Sequence, residues 1–268
     1  MRYSTAAFLA VLILFAAPSF AHVAKVEGKV DVEIVSEGNG VLPTIPFRNY
    51  LEGRTRTIKR YLEARSGENY SIVLKNNMPE RVGVVLAVDG RNIITGKRSS
   101  LKSHEKMYIL EPFGSAKLEG WRTDGNTVHT FYFTPMSDSY AVRTFGDSSA
   151  IGVIAVAVFR EKSRPVLHER KDMKKEAPAP LSGGAAESMN RYDSNRAGTG
   201  FGDTRYSPVI KVAFDPEGTP YEKVLVKYEW REVLCKKGLL QCLPEEKNRL
   251  WDDNGYAPYP PGHDSPLR

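Results

Sequence analysis

Apolar residues that recur at every second position, in short runs closed by turn signals, constrain this chain more than any other feature. Over residues 25–34, Val26, Gly28, Val30, Val32 and Ile34 fall on one face, with Lys25, Glu27, Lys29, Asp31 and Glu33 on the other. A period of two is that of an extended strand with one wet face. From 55 to 159 such runs follow one another. Tyr70-Ser-Ile-Val-Leu74 ends at Asn76-Asn77-Met78-Pro79, and 82–88 ends at Asp89-Gly90. The runs 107–110, 116–121 and 128–133 stop at Pro112, Asp124-Gly125 and Pro135. Asp-Gly suits a tight turn because glycine accepts positive φ without steric cost. Residues 150–159 are apolar on both faces, as expected of a central strand covered on two sides. With no convincing helix between the runs, the pattern predicts an all-β, antiparallel β-sandwich of jelly-roll or Ig-like kind.

The flanks read differently. Arg2, an apolar run over 6–17, Pro18 and a small-residue site at Ser19-Phe20-Ala21 predict a signal peptide over 1–21, with the mature chain beginning near His22. The run is too short to span a membrane, which takes about 20 residues, and no later stretch is longer. The expected location is periplasmic or extracellular. An N-terminal strand and turn over 22–44 precede the sandwich, placed at 45–162. Residues 163–205 carry charge runs, Ala177-Pro-Ala-Pro180, Ser182-Gly-Gly184 and Ala197-Gly-Thr-Gly-Phe-Gly202, a composition that predicts a flexible linker. Strand patterns over 209–214 and 221–230, around Asp215-Pro-Glu-Gly218, predict an additional C-terminal β-hairpin within 206–243 that docks on the sandwich. A Pro-rich tail over 244–268 completes the chain.

Charge and cysteines narrow the function classes. The formal charge of +6 is spread over 38 basic and 32 acidic side chains. That mild excess suits weak attraction to anionic envelope polymers. Nucleic acid is excluded as a partner, because the basic residues are neither gathered on one helix nor interleaved with stacking aromatics. Cys235 and Cys242 are disulfide candidates in an oxidising compartment, with two free thiols as the other reading. A metal site is not expected, since no second Cys or His pair lies near them and no two of His22, His104, His129, His168 and His263 stand two or four residues apart.

The segments Val88-Asp-Gly-Arg-Asn-Ile-Ile-Thr-Gly96, Gly120-Trp-Arg122, Phe131-Tyr-Phe133, Asp138-Ser-Tyr-Ala141 and Gly152-Val-Ile-Ala-Val-Ala-Val-Phe159 resemble those of a family of uncharacterised exported bacterial proteins, with Gly198-Thr-Gly-Phe-Gly202 as its second block. The resemblance covers about residues 70–240. It implies bacterial origin and one structural unit spanning both halves, and it carries over no catalytic residue, cofactor or ligand.

Catalytic motifs are missing: no GxSxG elbow, no HExxH, and no glycine-rich loop followed by Lys and Ser/Thr. The glycine run 198–202 reads as a tight turn or flexible lead-in. His129 reads as a packed or hydrogen-bonded core histidine instead of a catalytic base, and His104 as a solvated loop residue. Asp138 and Asp147 are the loop carboxylates a hydrolase would need, though Asp and Ser in such loops most often cap turns. Asp89 belongs to its turn. Trp121 and Arg122, with Tyr108 and Tyr140 (and Phe113), form the candidate binding group if the Trp121 face is wet, since a flat ring beside a guanidinium suits a sugar or a protein hot spot. If both faces of that strand are covered, Trp121 is core. The expected function is therefore an exported, non-catalytic β-sandwich of the cell envelope that binds a protein or glycan partner without a cofactor. The alternatives are a structural subunit of a surface assembly and a periplasmic hydrolase.

Overall fold

A computed structural model describes residues 28–162 and 196–242. The expected signal peptide, the mature start at His22, most of the expected linker and the Pro-rich tail lie outside the described residues.

Two sheets face each other. One contains β1 (Val30–Ser36), β2 (Gly40–Val41), β5 (Asn69–Asn76), β9 (Ser115–Leu118), β10 (Gly120–Arg122), β11 (Thr127–Pro135), β13 (Ala197–Thr199) and β14 (Thr204–Tyr206), with β10-β11-β5-β1-β2 as its main path. The other contains β3 (Thr44–Glu52), β4 (Thr55–Ala64), β6 (Val82–Val88), β7 (Arg91–Asn92), β8 (Tyr108–Leu110), β12 (Val153–Arg160) and β15 (Glu222–Trp230), in the order β3-β4-β15-β12-β6-β7. Two short helices, α1 (Tyr140–Phe145) and α2 (Arg231–Lys236), sit at sheet ends. This is an all-β sandwich.

Alternation builds the core. In β1, Val30, Val32 and Ile34 are buried while Asp31, Glu33 and Val35 are half-buried, so the period of two points one row inward. Ile34, Ile72, Leu74, Phe131 and Phe133 from the first sheet meet Ile58, Leu62, Leu86, Val156 and Val226 from the second in one cluster. Each such side chain contributes about 1.5–3 kcal/mol on burial. β6 is buried at every position, and β12 lies between β6 and β15. The outer face of this pair is covered by Leu101 and Met107, packed on Val85, Ala157 and Phe159. The doubly apolar run 150–159 thus has the two covered sides its pattern requires.

Two expectations are corrected. The C-terminal segment does not form a hairpin docked on a finished sandwich. Residues 209–214 form no strand, and β15 alone enters the centre of the second sheet. It pairs antiparallel with β12 over six residue pairs and parallel with β4 over nine. Flanking a strand on both sides satisfies its N–H and C=O groups along two ladders, which a peripheral hairpin leaves half open. The end of the expected linker is also ordered, since β13 and β14 both pair with β11. A disulfide joins Cys235 within α2 to Cys242 beyond it, Cα–Cα 5.7 Å.

Candidate functional site

Residues 88–96, 120–122, 138–141, 152 and 197–202, far apart in the chain, meet at one end of the sandwich. β10 sets Trp121 opposite His129 of β11. Trp121 is only 2% exposed, and its indole Nε1 donates to the Gly200 carbonyl at 2.9 Å. Phe131 meets it edge-on at 5.3 Å and Tyr140 covers it at 4.7 Å. Of the two readings of Trp121, the covered one holds: its ring is core, beneath the 197–202 segment and α1 instead of a C-terminal hairpin. Arg122 is not a free guanidinium. It donates through Nε to the Tyr108 hydroxyl at 3.0 Å and through an Nη to the Ser207 carbonyl at 2.8 Å, tying the chain beyond β14 to the body. Tyr108 is therefore a partner of Arg122, and of the four expected binding residues only Tyr140 stays with the surface group described below.

The glycine run explains how the segment comes so close. A Cβ at Gly200 would lie 2.1 Å from the Tyr132 ring, one at Gly198 would lie 2.6 Å from Ser139 Cβ, and one at Gly202 would lie 2.4 Å from Thr130 Oγ1. Only a chain without side chains at alternate positions packs so tightly on β11 and on Ser139. The sequence carried this as glycine at every second position, and it read as looseness.

Above Trp121 lies a strip of aromatic rings. Ser139 caps α1, its Oγ accepting from Val142 N at 3.4 Å and donating to the Met136 carbonyl at 2.7 Å. The adjacent Tyr140 stacks on Phe201 at 5.0 Å and meets Phe145 edge-on at 5.5 Å. Phe201 stacks in turn on His129 at 4.1 Å, while His129 Nδ1 is 3.0 Å from the Gly202 carbonyl. Phe201 and Phe145 are 37% and 43% exposed. The Arg91 guanidinium sits 4.0 Å over the Phe145 ring and pairs with Asp147 at 2.7 Å. Partial burial pushes the Asp147 carboxyl up, but hydrogen bonds from Ser149 and the charges of Arg91 and Arg98 outweigh it and hold the group below its ordinary value. Asp147 is thus an anchored anion. Asp138 lies exposed in the 3-10 turn Met136–Asp138, and His104 is exposed in its loop.

Sequence reasoning missed the depth of Asp89. This carboxylate is 1% exposed and adopts φ +50° just after β6. One oxygen accepts from Gly152 N at 2.7 Å and from the Tyr228 hydroxyl at 2.5 Å; the other accepts from Thr199 N at 2.7 Å. Thr199 Oγ1 bonds the hydroxyls of Tyr228 at 2.6 Å and Tyr70 at 2.7 Å. The network joins β5, β6, β13 and β15, and so both sheets. Burial pushes the Asp89 carboxyl up to about 6 against the pull of these donors. Burial likewise raises both phenols well above their ordinary value, so they remain protonated donors. A carboxylate with a pKa near 6 suits proton transfer in general, but this one is sealed in the core. Its work is to interlock the sheets.

The described residues contain no group of three or more His, Cys, Asp or Glu placed to hold a metal ion, and no helix long and apolar enough to cross a membrane. A recess of 160 Å³ lies between β3 and β4, lined by Pro46, Phe47, Arg48, Asn49, Ile58, Lys59 and Arg60. It falls below the roughly 300 Å³ at which small-molecule sites begin. Beside it β3 carries exposed Phe47, Tyr50 and Leu51, a second surface the sequence did not signal because its run lacks alternation. The fold places the protein among all-β sandwiches. Comparison with protein-family models, curated proteins and solved structures returns no match.

Proposed function

We propose that the chain is an exported, non-catalytic β-sandwich of the bacterial cell envelope that binds a protein or glycan partner through the strip formed by Tyr140, Phe145, Phe201 and His129. The observation that carries this is the exposure of Phe201 and Phe145 on a base made rigid by Trp121 and the Asp89 network. Flat rings held in place lose little entropy on binding, and they stack on sugar faces or fill a hot spot. The Arg91–Asp147 pair at one end adds polar groups that orient a ligand. Export rests on the N-terminal charge, apolar run and small-residue site, and bacterial origin rests on the family resemblance.

Trp121 touches Tyr140, so, with Trp230 and Trp251 replaced by Phe, tryptophan emission reports occupancy of the strip. Titration with peptidoglycan fragments is expected to shift that emission in the parent chain and not in Phe201→Ala. Cross-linking in the native envelope is expected to identify a protein partner if the glycans give no shift. Loss of both signals in the parent chain would end the binding reading.

A second reading, a structural subunit that assembles by strand addition, is favoured by one observation: among the described residues, β3 stands at the open edge of its sheet with residues 46–52 all exposed.

A further inference from the structure

Among the described residues, β3 is an edge strand that buries neither face over its last seven residues. Phe47 is 48% exposed, Tyr50 39% and Leu51 75%. Exposed apolar edges are rare in monomers because their unpaired N–H and C=O groups template another strand.

The hairpin geometry says which groups are available. A two-residue loop, Gly53 with φ +60° followed by Arg54, sets Glu52 opposite Thr55. In a hairpin of that length the flanking pair is hydrogen-bonded, and the pattern then alternates. Glu52, Tyr50 and Arg48 therefore bond inward to β4, while Leu51 and Asn49 point N–H and C=O outward. The opposite strand agrees: Arg56, the partner of Leu51, sends its N–H away from β3 to the Tyr221 carbonyl at 3.1 Å.

We propose that β3 pairs with β3 of a second copy of this chain, antiparallel about a two-fold axis through Tyr50. The inference rests on the strand-addition reading and names its occupant. In this register Asn49 and the second copy's Leu51 exchange backbone hydrogen bonds, and the two-fold axis repeats the exchange. Tyr50 faces its own counterpart as a non-hydrogen-bonded pair, and Arg48 faces the second copy's Glu52, twice. Two other symmetric registers satisfy the same outward groups. One centred on Leu51 sets Arg48 against Arg54, like charges in contact. One centred on Asn49 leaves Arg48 and Glu52 without each other. Charge thus selects Tyr50 as the centre. Pro46, which lacks an N–H, then falls beyond the ladder, as does the bulge between Pro46 and Arg48.

The test uses the purified full-length chain. Tyr50→Cys should form a disulfide-linked dimer with oxidised glutathione, because directly opposed non-hydrogen-bonded residues hold Cβ atoms at about 4.5–5.5 Å. Leu51→Cys, facing Asn49, should cross-link about tenfold more slowly. In sedimentation, Arg48→Glu and Glu52→Arg should each weaken the parent dimer about tenfold, and the double swap should restore it. A parent chain that stays monomeric at every concentration overturns the proposal. So does a double swap as weak as the singles, or equal cross-linking at 50 and 51. If the chain is monomeric yet the β3 variants lose envelope cross-links, the added strand belongs to another protein and the assembly reading survives. If neither changes, both fail.

Discussion

Replacing Tyr228 with Phe removes one oxygen from the centre of the sandwich and should destabilise it in a pH-dependent way. The Tyr228 hydroxyl donates to Asp89 at 2.5 Å and shares a hydrogen bond with Thr199 at 2.6 Å. Above pH 6 Asp89 is a buried anion, and a hydrogen bond to a charged group contributes about 1.5–3 kcal/mol. Thr199 keeps Tyr70 as a partner, so the expected loss at pH 8 is about 3 kcal/mol. At pH 5 Asp89 is protonated in the folded state, the lost bond is neutral, and the loss should fall to about 1 kcal/mol. The sign for the parent chain follows from the same group. Its folded pKa, about 6, lies above the ordinary 3.8. Its contribution to stability is therefore fully present below pH 3.8 and disappears as pH rises through 6, a swing of about 3 kcal/mol at 1.36 kcal/mol per pKa unit. Removing the Tyr228 donor moves that folded pKa further up and steepens the decline. Urea unfolding at pH 5 and pH 8, followed by far-UV circular dichroism, measures both effects. Equal losses at the two pH values, or a loss under about 0.5 kcal/mol at pH 8, would refute the reasoning that Asp89 is an interlocking anion.

Two further substitutions probe the same architecture. Gly200→Ala places a Cβ about 2.1 Å from the Tyr132 ring and should cost at least about 1–3 kcal/mol by overpacking; a variant as stable as the parent in urea would show that the 197–202 segment does not pack as described. Glu222 is fully buried on β15, where its carboxylate accepts from Lys29 N at 2.9 Å and Val30 N at 3.3 Å at the head of β1. Glu222→Ala should lose about 1–3 kcal/mol and speed hydrogen exchange at Lys29 and Val30 selectively, and unchanged exchange there would exclude the contact.

The Asp89 network also shows where sequence reading stops. In Val88-Asp-Gly90 the aspartate has the local form of a turn residue, and φ +50° confirms the turn. Its burial depends on Thr199 and Tyr228, which lie 110 and 139 positions away. No local pattern encodes a partner at that distance. Trp121 failed as a surface candidate for the same reason, since what covers it comes from residues 197–202 and α1. Of the sites that now matter, Tyr140 was named as an aromatic companion of Trp121. Phe201 was hidden in a glycine run that looked flexible.

The sequence by itself determined that the chain makes strands, which row of β1 faces inward, and that 150–159 lies at the centre. Those properties follow from side-chain alternation and β-branching, which are local. Tertiary structure alone decided the partners: β15 parallel to β4, the segment after β13 packed on β11 through Gly200 and Gly202, Asp89 sealed between sheets, and β3 left at an edge among the described residues. Backbone hydrogen bonding is the same for every residue type but proline and does not name its partner, so strand order is set only when the whole core closes.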